Sequence, residues 1–102
     1  MSTALEKWYL GLVHQCSCVV CSHMGQQQET PTEAHHPREG QGMSQRAPHV
    51  LAYALCAEHH RGALGWHGLG SKGFYLRYRL DELDMIAATL LQIFAVLRQR
   101  LT

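Results

Sequence analysis

The chain is short of charge: nine Lys and Arg stand against eight Asp and Glu over 102 residues, leaving +1 with histidine neutral. No broad electrostatic field advertises a nucleic acid, so any contact with a polyanion must run through a few placed cations. It also lacks an apolar run of about 18 residues, the length that a membrane-spanning helix needs. Its first residues, MSTALEKWYLGL, carry neither a basic leader nor a long apolar stretch, so no signal peptide is expected. Internal repeats and low-complexity segments are missing as well. These absences point to a cytosolic protein of one domain, residues 1–102. That is near the size at which a single core is barely adequate.

What is plentiful is histidine, eight residues, together with four cysteines. In a reducing compartment, clustered Cys and His read as metal ligands before disulfides. The spacing of apolar residues outlines the elements that carry them. Thr3 and Glu6 have capping-box spacing, and Leu5, Trp8, Tyr9, Leu12 and Val13 follow at helical intervals. A helix is therefore expected from about Thr3 to His14. CSCVVCSHMG follows as a tight turn, and residues 25–33 as loop. Ala34–His36 ends a strand, His49–Leu55 suits a second, and Cys56–Arg61 begins a short helix that Gly62 and Gly65 break. FYLRYRL, residues 74–80, reads as extended. From Asp81 a helix carries a stripe of Leu83, Ala87, Leu90, Phe94, Leu97 and Leu101, with Leu91, Ile93 and Val96 outside it. An apolar face this wide must be covered by the core or by a partner, so a homodimer through residues 81–101 is one possibility.

Two ligand sets separate by spacing. Cys18-x2-Cys21 and Cys56-x2-His59 are two short turns, each able to present two ligands to one tetrahedral ion. Together they make a closed structural zinc site, whose metal couples binding to folding. Cys16 is left as a buried thiol or as a substitute for Cys18. The second set is His35, His36, His60 and His67. On an unbroken helix, the seven-residue step from His60 to His67 would span about 10 Å, too far for one ion. Gly62 and Gly65 let the chain leave the helix and bring His67 back beside His60. The adjacent pair in AHHPREGQGM has its side chains on opposite sides of a strand end, which suits two different tasks.

The doublet HH, the segment LC-x2-HH at Leu55–His60 and the later His67 resemble the HNH, or His-Me finger, nucleases. HHPREGQGMSQRAPHVLAYALCAEHHRG with WHGLGSKGFY is similar to the phage recombination-enhancement (Ref) branch, over residues 16–80. The resemblance implies an α+β fold with a small ββα-metal core, a zinc knuckle and flanking N- and C-terminal helices. It implies a metal-dependent DNA endonuclease, phage- or prophage-encoded, acting in recombination or DNA processing. His36 would be the general base, and His35, His60 and His67 the catalytic metal ligands. His49 falls near the family's central asparagine position, where this chain departs from the pattern. A divalent ion would polarise the scissile phosphate. Three imidazoles favour zinc, nickel or manganese over magnesium, which prefers oxygen.

Arg38, Arg46, Arg61 and Lys72 lie beside these motifs as candidate DNA-phosphate contacts. The resemblance implies a RecA-type recombinase filament as a partner; that branch also has a basic N-terminal extension, and none is read in this sequence. The alternative is a non-catalytic zinc-binding module that binds DNA or protein; such a scaffold needs ligands but no base.

Overall fold

The computed structural model describes residues 3–38 and 47–101; Arg46 lies outside the described residues. The elements in order are α1 (Ala4–Gln15), α2 (Val19–Met24), β1 (Thr32–His35), a 3-10 turn (His49–Leu51), β2 (Tyr53–Cys56), α3 (Ala57–Arg61), α4 (Trp66–Tyr78) and α5 (Glu82–Leu101). The fold is α+β, with two antiparallel strands among helices. No helix among the described residues is long and apolar enough to cross a membrane.

Strand register places the chemistry. Glu33 pairs with Leu55 and His35 with Tyr53, whereas Thr32 and Ala34 pair with Cys56 and Ala54. Opposed residues share a face and neighbours alternate, so Glu33, His35 and Tyr53 lie on one side. The Ala34–Ala54 side packs on Tyr9, Leu12 and Val13 of α1 and Ile93 of α5. The small alanines let both helices approach. The larger cluster joins Tyr53 and Leu55 to Val19 and Val20, to Trp66, Phe74 and Tyr78 of α4, and to Met85 and Ile86 of α5. Leu55, Phe74 and Met85 are fully buried, and each such side chain contributes about 1.5–3 kcal/mol.

Helix α1 starts as expected. Thr3 Oγ1 accepts from the Glu6 N–H, and Glu6 accepts from the Thr3 N–H. Five other elements differ from the sequence reading. Strand β1 begins at Thr32, inside the expected 25–33 loop, and ends at His35, one residue before His36. The Cys-rich turn is a short helix, α2, stopped by Gly25 in the left-handed region. The strand expected over His49–Leu55 is a 3-10 turn followed by β2.

Residues 74–78 of FYLRYRL form the second half of α4 and are not extended; the helix stops at Arg79, in the left-handed region. Its apolar residues alternate, which imitates a strand, but burial follows Phe74 and Tyr78 four residues apart while Tyr75 and Leu76 are exposed. Phe74 meets Trp66 edge-on and Tyr78 at a tilt, and the Tyr78 hydroxyl donates to the Leu64 carbonyl at 2.6 Å. Within α4 the helix kinks at Gly70, whose φ of 73° favours glycine.

The buried face of α5 is Glu82, Met85, Ile86, Thr89 and Ile93. The stripe read from the sequence largely faces outward, with Leu83 72%, Phe94 58% and Leu101 88% exposed. Two polar residues in the packed face explain the difference. Thr89 Oγ1 accepts from the Ala54 N–H and donates to the Met85 carbonyl. Glu82 accepts hydrogen bonds from two other segments. Counting apolar residues alone therefore selects the wrong side.

Candidate metal centres

Cys18, Cys21, Cys56 and His59 converge, all buried, with one ligand atom each within 4.8 Å of the others. Cys18 caps α2 and Cys21 lies one turn on; Cys56 caps α3 and His59 lies one turn on. Each x2 spacing thus becomes a first helical turn that aims two side chains the same way. A tetrahedral zinc with Zn–S of about 2.3 Å and Zn–N of about 2.0–2.1 Å requires S···S near about 3.8 Å and S···N near about 3.5 Å. The Cys21 and Cys56 sulfurs are 3.9 Å apart, and His59 Nδ1 lies 3.6, 3.5 and 3.3 Å from the sulfurs of Cys18, Cys21 and Cys56. The donor set fits a tetrahedral thiophilic ion.

Electrostatics agree. Burial, then the neighbouring Cys18 and Cys56 sulfurs, pushes the Cys21 thiol up to about 12. Burial also raises Cys18. At Cys56 burial opposes ionisation, but hydrogen bonds from the His59 backbone and the Thr30 hydroxyl outweigh it and the net shift is downward. Three sulfurs this close resist becoming thiolates together unless a cation joins them.

The 28–31 segment ties the two turns. Gln28 Oε1 accepts from the Cys18 N–H at 2.7 Å, Thr30 Oγ1 accepts from the Glu58 N–H, and the Pro31 carbonyl accepts from the Ala57 N–H. Cys16 stands outside the cluster, its thiol donating to the Leu12 carbonyl.

The second cluster is His35, His60 and His67. His35 ends β1, His60 lies in α3 and His67 in the first turn of α4. Gly65 permits the approach: a Cβ there would lie 2.6 Å from the backbone oxygens of both Glu58 and His59. The α3–α4 junction can close this tightly only around glycine, and His67 Nε2 comes within 3.2 Å of His60 Nε2. His60 turns its Nδ1 to Glu33 Oε1 at 2.7 Å. Since the carboxylate accepts, Nδ1 carries the proton and Nε2 faces His67. Glu33 is held well below its usual range, at about 2, first by the Arg61 guanidinium and then by His60.

His35 is 4% exposed, and its Nε2 is a buried polar atom with no hydrogen-bond partner among the described residues. Its Nδ1 lies 2.7 Å from the Tyr53 hydroxyl. Burial, reinforced by His60 and His67, lowers His35 to about 3, and burial also lowers His67. Both stay neutral, the form that binds a metal.

These rings border a cleft of about 220 Å³ that His36, Arg38 and Ala47 also line. His36 follows the strand end and is half-buried, with its Nε2 2.8 Å from His49 Nδ1. His36 is thus beside the trio and outside it. Among the cations, Arg38 is exposed at this cleft. Arg61 forks onto Glu33 through Nε and Nη2. Lys72 lines a separate cleft with Trp66 and Asp81.

Residues the sequence reading passes over are Gln28, Glu33, Tyr53 and Glu82. Only Glu33 had a local signal: it sits two positions before His35 and so on its face of the strand. Compared with protein-family models, curated proteins and solved structures, the chain matches none.

Proposed function

We propose that this chain is a metal-dependent DNA endonuclease of the HNH type, with a structural zinc at Cys18, Cys21, Cys56 and His59. The observation that carries the reading is the gathering of four histidines at one cleft. Three imidazoles point ring nitrogens at one another, and a fourth, His36, stands at the same cleft without joining them. The resemblance of HH, LC-x2-HH and His67 to the HNH nucleases supports the same assignment.

His35, His60 and His67 would hold a divalent ion of the zinc, nickel or manganese kind. When bound, that ion supplies charge neutralisation at the scissile phosphate and the leaving 3′ oxygen. His36 takes the proton from the attacking water, the task of a neutral imidazole. The His49 contact orients the His36 ring, so His49 serves where the family has asparagine. Arg38 is the phosphate contact best placed at the cleft.

The test is cleavage of plasmid and single-stranded DNA across zinc, nickel, manganese and magnesium, with and without a RecA-type recombinase filament. Metal-dependent nicking is expected. His36→Ala should keep its metals and its fold and lose about 100- to 10,000-fold in cleavage, the usual worth of a general base. Wild-type protein that binds DNA and both metals yet never cuts supports the zinc-module alternative and overturns the nuclease reading.

A further inference from the structure

We propose that Tyr53 and Glu82 form a positioning relay that holds His35 in the tautomer offering Nε2 to the metal centre; the inference rests on the metal-centre reading above. The Tyr53 hydroxyl lies 2.6 Å from Glu82 Oε2 and 2.7 Å from His35 Nδ1. It has one proton. A carboxylate can only accept, so the proton goes to Glu82 and the phenol oxygen accepts from His35 Nδ1–H. Neutral imidazole has one N–H, so His35 Nε2 is left with its lone pair. That atom is the buried one with no hydrogen-bond partner among the described residues.

The parts are costly and well placed. Glu82 is 2% exposed, and burying a carboxylate is unfavourable unless hydrogen bonds compensate. Its other oxygen accepts from the Arg38 N–H at 2.8 Å. The acid at the start of α5 therefore anchors both the segment leaving β1 and the phenol beneath His35. Strand register sets Tyr53 directly opposite His35, so sheet pairing fixes the geometry. His60 is treated alike, with Glu33 accepting from its Nδ1 directly. Partners that take the far N–H of a metal-binding imidazole fix its tautomer and raise its basicity.

Glu82→Gln reverses the relay. To satisfy both the Arg38 N–H and Tyr53, the amide must accept from the first and donate to the second. The phenol then donates to His35 Nδ1, and the ring proton moves to Nε2, where it blocks the metal. The experiment is nitrogen-15 NMR of the histidine rings in full-length protein carrying only its structural zinc, followed by Zn²⁺ titration of the second site. Wild type should show His35 as the Nδ1–H tautomer, and Glu82→Gln should shift it toward Nε2–H. Both Glu82→Gln and Tyr53→Phe should bind the second zinc about 10- to 100-fold more weakly.

A mere packing role for Glu82 would leave the tautomer unmoved. Should Glu82→Gln fail to fold, Tyr53→Phe, which removes one oxygen, and the wild-type tautomer still decide. Nε2–H in the wild type, or folded variants that bind the second zinc as tightly as wild type, overturn the relay. An Nδ1–H wild type that takes no second zinc supports the relay and contradicts the metal-centre reading.

Discussion

His59 and His60 are neighbours in the chain, yet they serve two unlike clusters. His59 closes a set of three sulfurs and one nitrogen in which every ligand is buried. Its four members come from two local turns, and the 28–31 segment hydrogen-bonds both. His60 belongs to a set of three nitrogens from three separate elements, bordering an open cleft. A closed tetrahedral set suits structure, whereas three protein ligands with open space suit reaction. The difference teaches that one short helix can feed two clusters of different make, because successive residues point to different sides.

The comparison can be broken from either side. The largest effect is expected at the closed cluster. Cys21→Ser should lose its ion and with it most of the fold, since structural zinc supplies about 10–16 kcal/mol and a domain holds only about 5–15. His35→Ala should lose the second ion alone and stay folded. Circular dichroism with elemental analysis checks both, and equal loss of fold in the two variants would erase the distinction.

A smaller effect is expected at the junction between the clusters. Gly65→Ala would set a methyl group against the carbonyls of Glu58 and His59, at a cost of about 1–3 kcal/mol. His67 would move from His60, so the second ion should bind more weakly while the first is retained. Denaturant unfolding and metal titration measure the two consequences separately.

The smallest effect is graded acid sensitivity. The folded chain lowers His35 from the ordinary 6.5 to about 3, and burial lowers His59 and His67 as well. The unfolded chain protonates these rings near 6.5, so the contribution is complete above that pH and fades as pH falls, for His35 down toward about 3. Proton competition for the ligands acts in the same direction. Melting temperature should therefore decline steadily below about pH 6.5, and a flat profile from 7 to 5 would contradict the burial of His35 and His59.

Legibility in the sequence follows the range of the interactions. The x2 spacings of Cys18, Cys21, Cys56 and His59 are local, and so is the Thr3–Glu6 cap; all of these can be read directly. The return of His67 to His60 is legible from two glycines. The face of α5 is not, because Glu82 and Thr89 take packed positions through hydrogen bonds that no periodicity shows. Residues 74–78 mislead because apolar alternation imitates a strand while the contacts of Phe74 with Trp66 and Tyr78 select helix. The Tyr53–Glu82 contact joins residues 29 apart, with no local signal at either end.

The most direct test of two centres of different kind is stepwise removal of metal by a graded chelator, with metal content and circular dichroism followed together on the same wild-type sample. The expected result is two ions per chain. One should leave first with the helical signal intact, and the other only as the signal collapses. A single ion per chain, or two ions that depart together with the fold, would contradict the account.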